Sequence, residues 1–164
     1  MQLQTRRHDD GDISRWVGFS IGPQSFALPI HCVREVNPSA RYEAVPGAPR
    51  FVLGVAALRG RIVTVIDLHG RLQIERPAER EQDQLHCLIV VESAGEMLAL
   101  RVDAIGELYS LPSSLIKKPP TVAIPGTDDA VCGFVSRMAD ERRNMLSLLA
   151  LDPLIDAVLP ACLH

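Results

Sequence analysis

Gly18-Phe-Ser-Ile-Gly22 has the G-x-S-x-G spacing with which hydrolases present a serine nucleophile on a sharp turn between a strand and a helix. That chemistry also needs a helix after the second glycine, and an acid and a histidine downstream. Here Pro23-Gln24 and a second strand-like run follow Gly22, and the histidines far downstream are His69, His86 and His164. Alternation from Trp16 to Ile21 places Ser20 inside a strand that turns back as a hairpin, so the hydrolase reading is disfavoured. His31-Cys32 and His86-Cys87 set metal-ligating side chains next to one another, and Cys132 and Cys162 complete the four cysteines. Neighbours on a strand point to opposite faces, which would divide each pair between core and solvent, and no C-x-x-C pair occurs. Reduced, mostly buried thiols in a reducing compartment are expected. Phosphate-loop, dinucleotide and zinc-protease motifs do not occur, so no cofactor and no metal is expected.

The charged residues with the clearest setting are Arg59 and Arg61 around Gly60, between the apolar run Gly54 to Leu58 and the β-branched run Ile62 to Ile66. This is the pattern of a strand entered from a tight turn, with the arginine at the turn pointing outward. Glu35, in Val33-Arg-Glu-Val36, is either an exposed strand charge or part of a surface. A net charge of -3 and a pI near 5.9 provide no basic stripe, which argues against nucleic acid as a partner. Apolar runs such as Leu88 to Val91 are far too short to span a bilayer, and the charged start, Met1 to Asp10, lacks the apolar stretch of a signal peptide. A cytoplasmic protein without membrane insertion is expected.

Around these residues, strands are predicted at Trp16 to Ile21, Ser25 to Ile30, Arg34 to Asn37, Arg61 to Asp67, Leu85 to Glu92, Met97 to Val102, Ile105 to Leu111, Val131 to Arg137 and Asn144 to Ala150. Close punctuation by Gly, Pro, Ser and Asn favours small antiparallel barrels over alternating strand and helix units. Helix is predicted only for a turn or two around Arg50 to Leu53 and for Pro153 to Leu159, with Asp152 as N-cap, and Pro112 to Leu115 suits a short turn. Residues 1–13 read as a flexible tail. Ala27 to Val36 aligns without a gap on Ala99 to Leu108, and Val63 to Leu68 on Leu146 to Leu151, dividing 14–164 into two similar halves near residues 75–84. Chance similarity between amphipathic strands is the alternative.

Gly54-Val-Ala-Ala-Leu-Arg-Gly-Arg-Ile-Val-Thr-Val-Ile-Asp-Leu68 resembles the G-V-x-N-L-R-G-x-I-x-P-V-x-D-L signature of the CheW chemotaxis coupling family, with similarity extending from about Trp16 to the last helix. Ala57 and Thr64 depart from the family's asparagine and proline. The resemblance implies a mainly β fold of two interlocked, SH3-like five-stranded barrels with short helices, including a C-terminal one. It implies a non-catalytic adaptor between the cytoplasmic tip of methyl-accepting chemoreceptors and the regulatory domain of a CheA-type histidine kinase. Arg59 matches the family's arginine and Glu35 its acidic position, both expected on a receptor-facing surface. The repeat pairs Glu35 with Glu107, which makes Ile30, Val33, Val36, Val102 and Ile105 candidates for an apolar groove wall, with plain core burial the alternative for each. Val122 and Ile124, in the proline-rich segment Lys117 to Gly126, are candidate kinase contacts. Arg41 to Gly47 with Asp67 to Gly70 also resembles the coupling proteins of type IV pilus systems. An orphan tandem-barrel module that binds another scaffold is the further alternative.

Overall fold

The hairpin that the sequence predicts around Gly22-Pro23 is present, formed by β1 (Ile13–Ile21) and β2 (Gln24–Pro29), with Ser20 inside β1 opposite Ser25. The computed structural model describes residues 12–76, 85–119, 129–139, 142–156 and 158, and Ile13 belongs to β1 rather than to the tail. The other strands are β3 (Val33–Ala40), β4 (Val52–Leu58), β5 (Arg61–Asp67), β6 (His86–Ser93), β7 (Glu96–Val102), β8 (Ala104–Pro112), β9 (Val131–Ala139) and β10 (Arg142–Leu149). Helix α1 (Leu68–Arg71) follows β5, and α2 (Leu151–Asp156) follows β10.

The strands form two five-stranded sheets, ordered β8-β1-β2-β10-β9 and β3-β6-β7-β5-β4. Exchanging β1–β5 for β6–β10 converts one order into the other, so the aligned sequence segments occupy equivalent places. Each sheet takes a hairpin from one half of the chain and three strands from the other. Isolated bridges from Lys117 to Phe134 and from Glu43 to Val55 bring the sheet edges together, which closes the sheets into a first and a second SH3-like barrel.

Alternation divides the apolar residues among three cores. Trp16, Ala27, Leu111, Val135, Leu146 and Leu148 fill the first barrel, and Val63, Val65, Leu88, Val90 and Ala99 lie in the second. The largest cluster lies between the barrels and receives Phe19, Phe26 and Leu28 from one sheet and Ile89, Val91 and Leu100 from the other. Because β6 is covered on both faces, Cys87 to Val91 is buried without interruption. Each fully buried Leu or Ile contributes about 1.5–3 kcal/mol, so this shared core ties the barrels into one unit.

Some local expectations are corrected. The helix expected around Arg50 to Leu53 is a turn leading into β4, where Val52 pairs with Ile66 across a bulge. The C-terminal helix starts earlier than expected, so Asp152 lies inside its first turn instead of capping it. His31-Cys32 forms part of a short 3-10 turn (Ile30–Cys32), not a strand. Cys87 is buried, Cys32 is half-buried, and Cys132 is exposed, against the expectation of mostly buried thiols. Burial pushes the Cys87 and Cys32 thiols above their ordinary pKa, and the carboxylate of Asp152 adds to the effect at Cys32. Cys162 lies outside the described residues. Among the described residues no helix is long and apolar enough to cross a membrane.

Candidate functional site

Leu58 pairs with Arg61, leaving Arg59 and Gly60 as a two-residue hairpin turn with φ of 48° and 76°. A turn with positive φ at both central residues matches the twist of the flanking strands and ordinarily uses Asn-Gly. Gly60 meets that requirement, whereas Arg59 occupies the left-handed region at a cost of about 1 kcal/mol or more. Its side chain is 81% exposed, and Arg59 Nε lies 3.3 Å from Oε1 of Glu35, whose side chain is 22% exposed. The two residues come from opposite edges of the second sheet, so their ion pair spans the closure of that barrel.

Next to this turn, an open groove of about 510 Å³ is lined by Asn37, Arg41, Tyr42, Ala57, Leu58 and Ile62. Ile62 is 78% exposed, the most of any large hydrophobic residue among the described residues, and it pairs with the exposed Ala57. Sequence reasoning missed Ile62 because a β-branched run reads as core throughout. The usable signal was the inward placement of Val63 and Val65, which turns Ile62 outward by strand alternation.

The expected groove wall is only partly assembled. Ile30 and Val36 are exposed, and Val33 and Ile105 pack at the edge of the inter-barrel core. Val102 is a correction: it is 2% exposed and lies inside that core, because β7 sends Leu98, Leu100 and Val102 between the barrels. Val36 adjoins Glu35 on β3 and points to the other face. Val122 and Ile124 lie outside the described residues.

The G-x-S-x-G pattern has structural reasons. A side chain at Gly18 would come within 2.5 Å of the Tyr109 ring and 2.8 Å of the Glu107 carbonyl oxygen, and Gly22 adopts φ of 54° in the hairpin turn. His69 is 3% exposed, with Nε2 2.8 Å from Asp103 Oδ1 and Nδ1 3.3 Å from the Ile74 carbonyl oxygen. Both ring nitrogens are therefore engaged away from Ser20. Burial pushes the Asp103 carboxyl up, but the hydrogen bonds with His69 and the Gly22 amide outweigh it and leave the group below the usual carboxylate range. Among the described residues no group of His, Cys, Asp and Glu is arranged to hold a metal.

Paired SH3-like barrels with an open groove of mixed polar and apolar lining on one face have the form of a scaffold-type module. The chain belongs to the CheW-like family, whose domain model, described as "CheW-like domain", matches residues 15–159. It is 29% identical over 138 residues to a probable chemotaxis protein CheW of Rhizobium etli, covering 84% of each chain. It is 34% identical over 96 residues to Protein PilI of Pseudomonas aeruginosa, covering 58% of this chain and 52% of that one. The solved structure of the scaffolding protein TtCheW from Thermoanaerobacter tengcongensis is similar at a TM-score of 0.72 and 29% identity, over 88% of this chain and 94% of that one.

Proposed function

We propose that the chain is a non-catalytic cytoplasmic adaptor of a bacterial chemosensory pathway, coupling the cytoplasmic tips of methyl-accepting chemoreceptors to the regulatory domain of a CheA-type histidine kinase. The observation that carries this reading is the Arg59–Glu35 pair, held at a left-handed turn that directly follows Leu58 in the wall of a groove exposing Ile62 and Ala57. An arginine kept where Asn or Gly would be less strained serves something other than the turn, and a charged rim around Ile62 and Ala57 suits a protein partner. Glu35, Arg59, Ile30, Val33, Val36 and Ile105 are assigned to the receptor-facing side, and Val122 and Ile124 to the kinase-facing side. Output follows the receptor through coupling free energy between binding sites, with no chemistry performed by the adaptor.

The similarity to PilI supports a second reading, in which the same coupling serves a type IV pilus pathway. Binding titrations of the full chain against a CheA regulatory domain and a receptor tip encoded in the same genome test the coupling common to both readings. Saturable binding to both partners is expected. Binding to neither would leave an orphan scaffold-binding module as the reading.

A further inference from the structure

Each barrel runs out into a short helix, and each helix is tied to a hairpin of the opposite barrel. α1 leaves the second barrel, and its His69 meets one carboxylate oxygen of Asp103 while the other accepts the Gly22 amide at the tip of the β1–β2 hairpin. The Asp103 amide also donates to the Ser20 carbonyl at 3.0 Å. α2 leaves the first barrel, and its Asp152 accepts the Ser93 hydroxyl, 3.0 Å away, beside the β6–β7 turn. The internal repeat aligns Leu68 with Leu151, which makes His69 and Asp152 equivalent positions. Arg71 joins the ties, donating from Nε to the Leu154 carbonyl at 3.0 Å and from Nη2 to the Pro153 carbonyl at 3.1 Å.

These contacts form a polar strap running from Gly22 through Asp103, His69 and α1 to α2, Asp152 and Ser93. The apolar core beneath it holds the barrels together, but apolar attraction is non-directional and tolerates small rotations. Hydrogen bonds are directional, and leaving the buried His69 without its partner is costly. We propose that Asp103 is a positioning residue that fixes the angle between the two barrels, so that partners bound to different barrels are held in one relative geometry. This deepens the adaptor reading and rests on it for its functional half. Asp103 immediately precedes β8, and Ile105, at the edge of the inter-barrel core, follows two residues later. A change of angle would therefore be felt at that edge first.

The test uses the full chain. In Asp103→Ala, amide hydrogen exchange at Gly22 should accelerate by about tenfold or more, the factor for losing a charge-assisted hydrogen bond. Residual dipolar couplings should report an altered angle between barrels whose internal couplings are unchanged. Asp103→Asn should restore the native angle, since its carbonyl can accept the Gly22 amide while its NH2 donates to His69 Nε2. That arrangement places the His69 proton on Nδ1, toward the Ile74 carbonyl. With kinase and receptor present, Asp103→Ala should lower receptor-dependent kinase activation by about fivefold or more, a typical coupling factor, while each pairwise affinity changes by less than about threefold. A native angle in Asp103→Ala would overturn the proposal, as would equal losses in pairwise affinity and activation that Asp103→Asn does not rescue. Should Asp103→Ala fail to fold, Asp103→Ser, too short to reach His69 and the Gly22 amide together, must shift the angle, and an unchanged angle there would overturn it equally. If the wild-type chain binds neither partner, the adaptor reading falls, and the dipolar couplings still decide whether Asp103 sets the angle.

Discussion

In the first barrel, Lys117 and Phe134 exchange backbone hydrogen bonds of 2.8 Å, and in the second, Glu43 and Val55 do the same at 2.9 Å. A glycine precedes the closing residue each time, Gly133 in one barrel and Gly54 in the other. The closures differ in what surrounds that glycine. A Cβ on Gly54 would lie 1.9 Å from the Glu43 carbonyl oxygen, whereas a Cβ on Gly133 would first meet the Ile116 side chain at 2.9 Å and the Lys117 carbonyl oxygen at 3.3 Å. Backbone presses on backbone in the second barrel, while a side chain that can rotate takes up most of the contact in the first. The closure with less room for a side chain borders the groove that includes Val55, Ala57 and Ile62, so that groove lies along the seam where only glycine fits.

Substituting the two glycines is the strongest way to break this comparison. Gly54→Ala is expected to lose about 3 kcal/mol or more of folding stability, because the clash is with main chain that hydrogen bonds hold in place. Gly133→Ala should cost about 1 kcal/mol, since Ile116 can change rotamer. Urea unfolding of both variants gives the two numbers, and equal losses would show that the seams are equally tight.

The second barrel's ion pair offers the next largest effect, read in binding instead of stability. A pair this exposed contributes about 0–1 kcal/mol to folding, so Arg59→Glu should melt near the wild-type temperature. Against a complementary partner surface the reversal should weaken receptor binding on the order of a hundredfold. Because Arg59 and Glu35 are in direct contact, Arg59→Glu combined with Glu35→Arg should recover part of that loss. Unchanged receptor affinity in folded Arg59→Glu would remove the site assignment, and absence of recovery would remove only the role of the pairing.

How far these contrasts were legible in the sequence depends on the range of the interaction. The β1–β2 hairpin and the turn at Arg59-Gly60 were legible because alternation and turn chemistry act over a few residues. The repeat marked equivalent segments but could not say that β1 and β2 would share a sheet with β8, β9 and β10, because alternation specifies a face and not a neighbour. Val102 was left undecided between groove wall and core for a related reason, since a strand covered on both faces has no solvent side for its pattern to reveal. The His69–Asp103 tie left no local signal, as its partners stand 34 residues apart and meet only when the barrels pack. Only Val52 and Leu53 at the start of β4 were read as helix, because Pro49 suggested a helix start, and the rest of that strand was left unassigned since its pairing with β5 is a tertiary decision.

The inter-barrel tie through Asp103 should respond to acid. Asp103 has a lowered carboxyl pKa in the folded protein, so its contribution is present above the unfolded value of about 4 and is lost as pH falls through the folded value. The stability difference between wild type and Asp103→Asn should therefore shrink as pH falls below about 4. With its side chain 38% exposed, the difference should be modest, on the order of 1 kcal/mol after solvent screening. Chemical unfolding across that range checks it, and a difference independent of pH would show that ionisation of Asp103 does not contribute.

The smallest effect concerns Arg59 itself and sharpens the contrast between a turn built for folding and one built for contact. Asn at position 59 would fit the left-handed conformation that Arg59 adopts at φ of 48°, removing a strain of about 1 kcal/mol. It would also delete the ion pair to Glu35, worth about 0.5 kcal/mol at this exposure. The net expectation for Arg59→Asn is a gain of about 0.5 kcal/mol, visible as a melting temperature raised by a degree or two. Receptor affinity should fall by about tenfold, less than for Arg59→Glu because a charge is removed without being reversed. Stability and binding would then move in opposite directions at a single residue, as expected when strain is retained for recognition. If Arg59→Asn lowers both stability and affinity, the arginine is part of what holds the second barrel closed, and its left-handed conformation needs no partner to explain it.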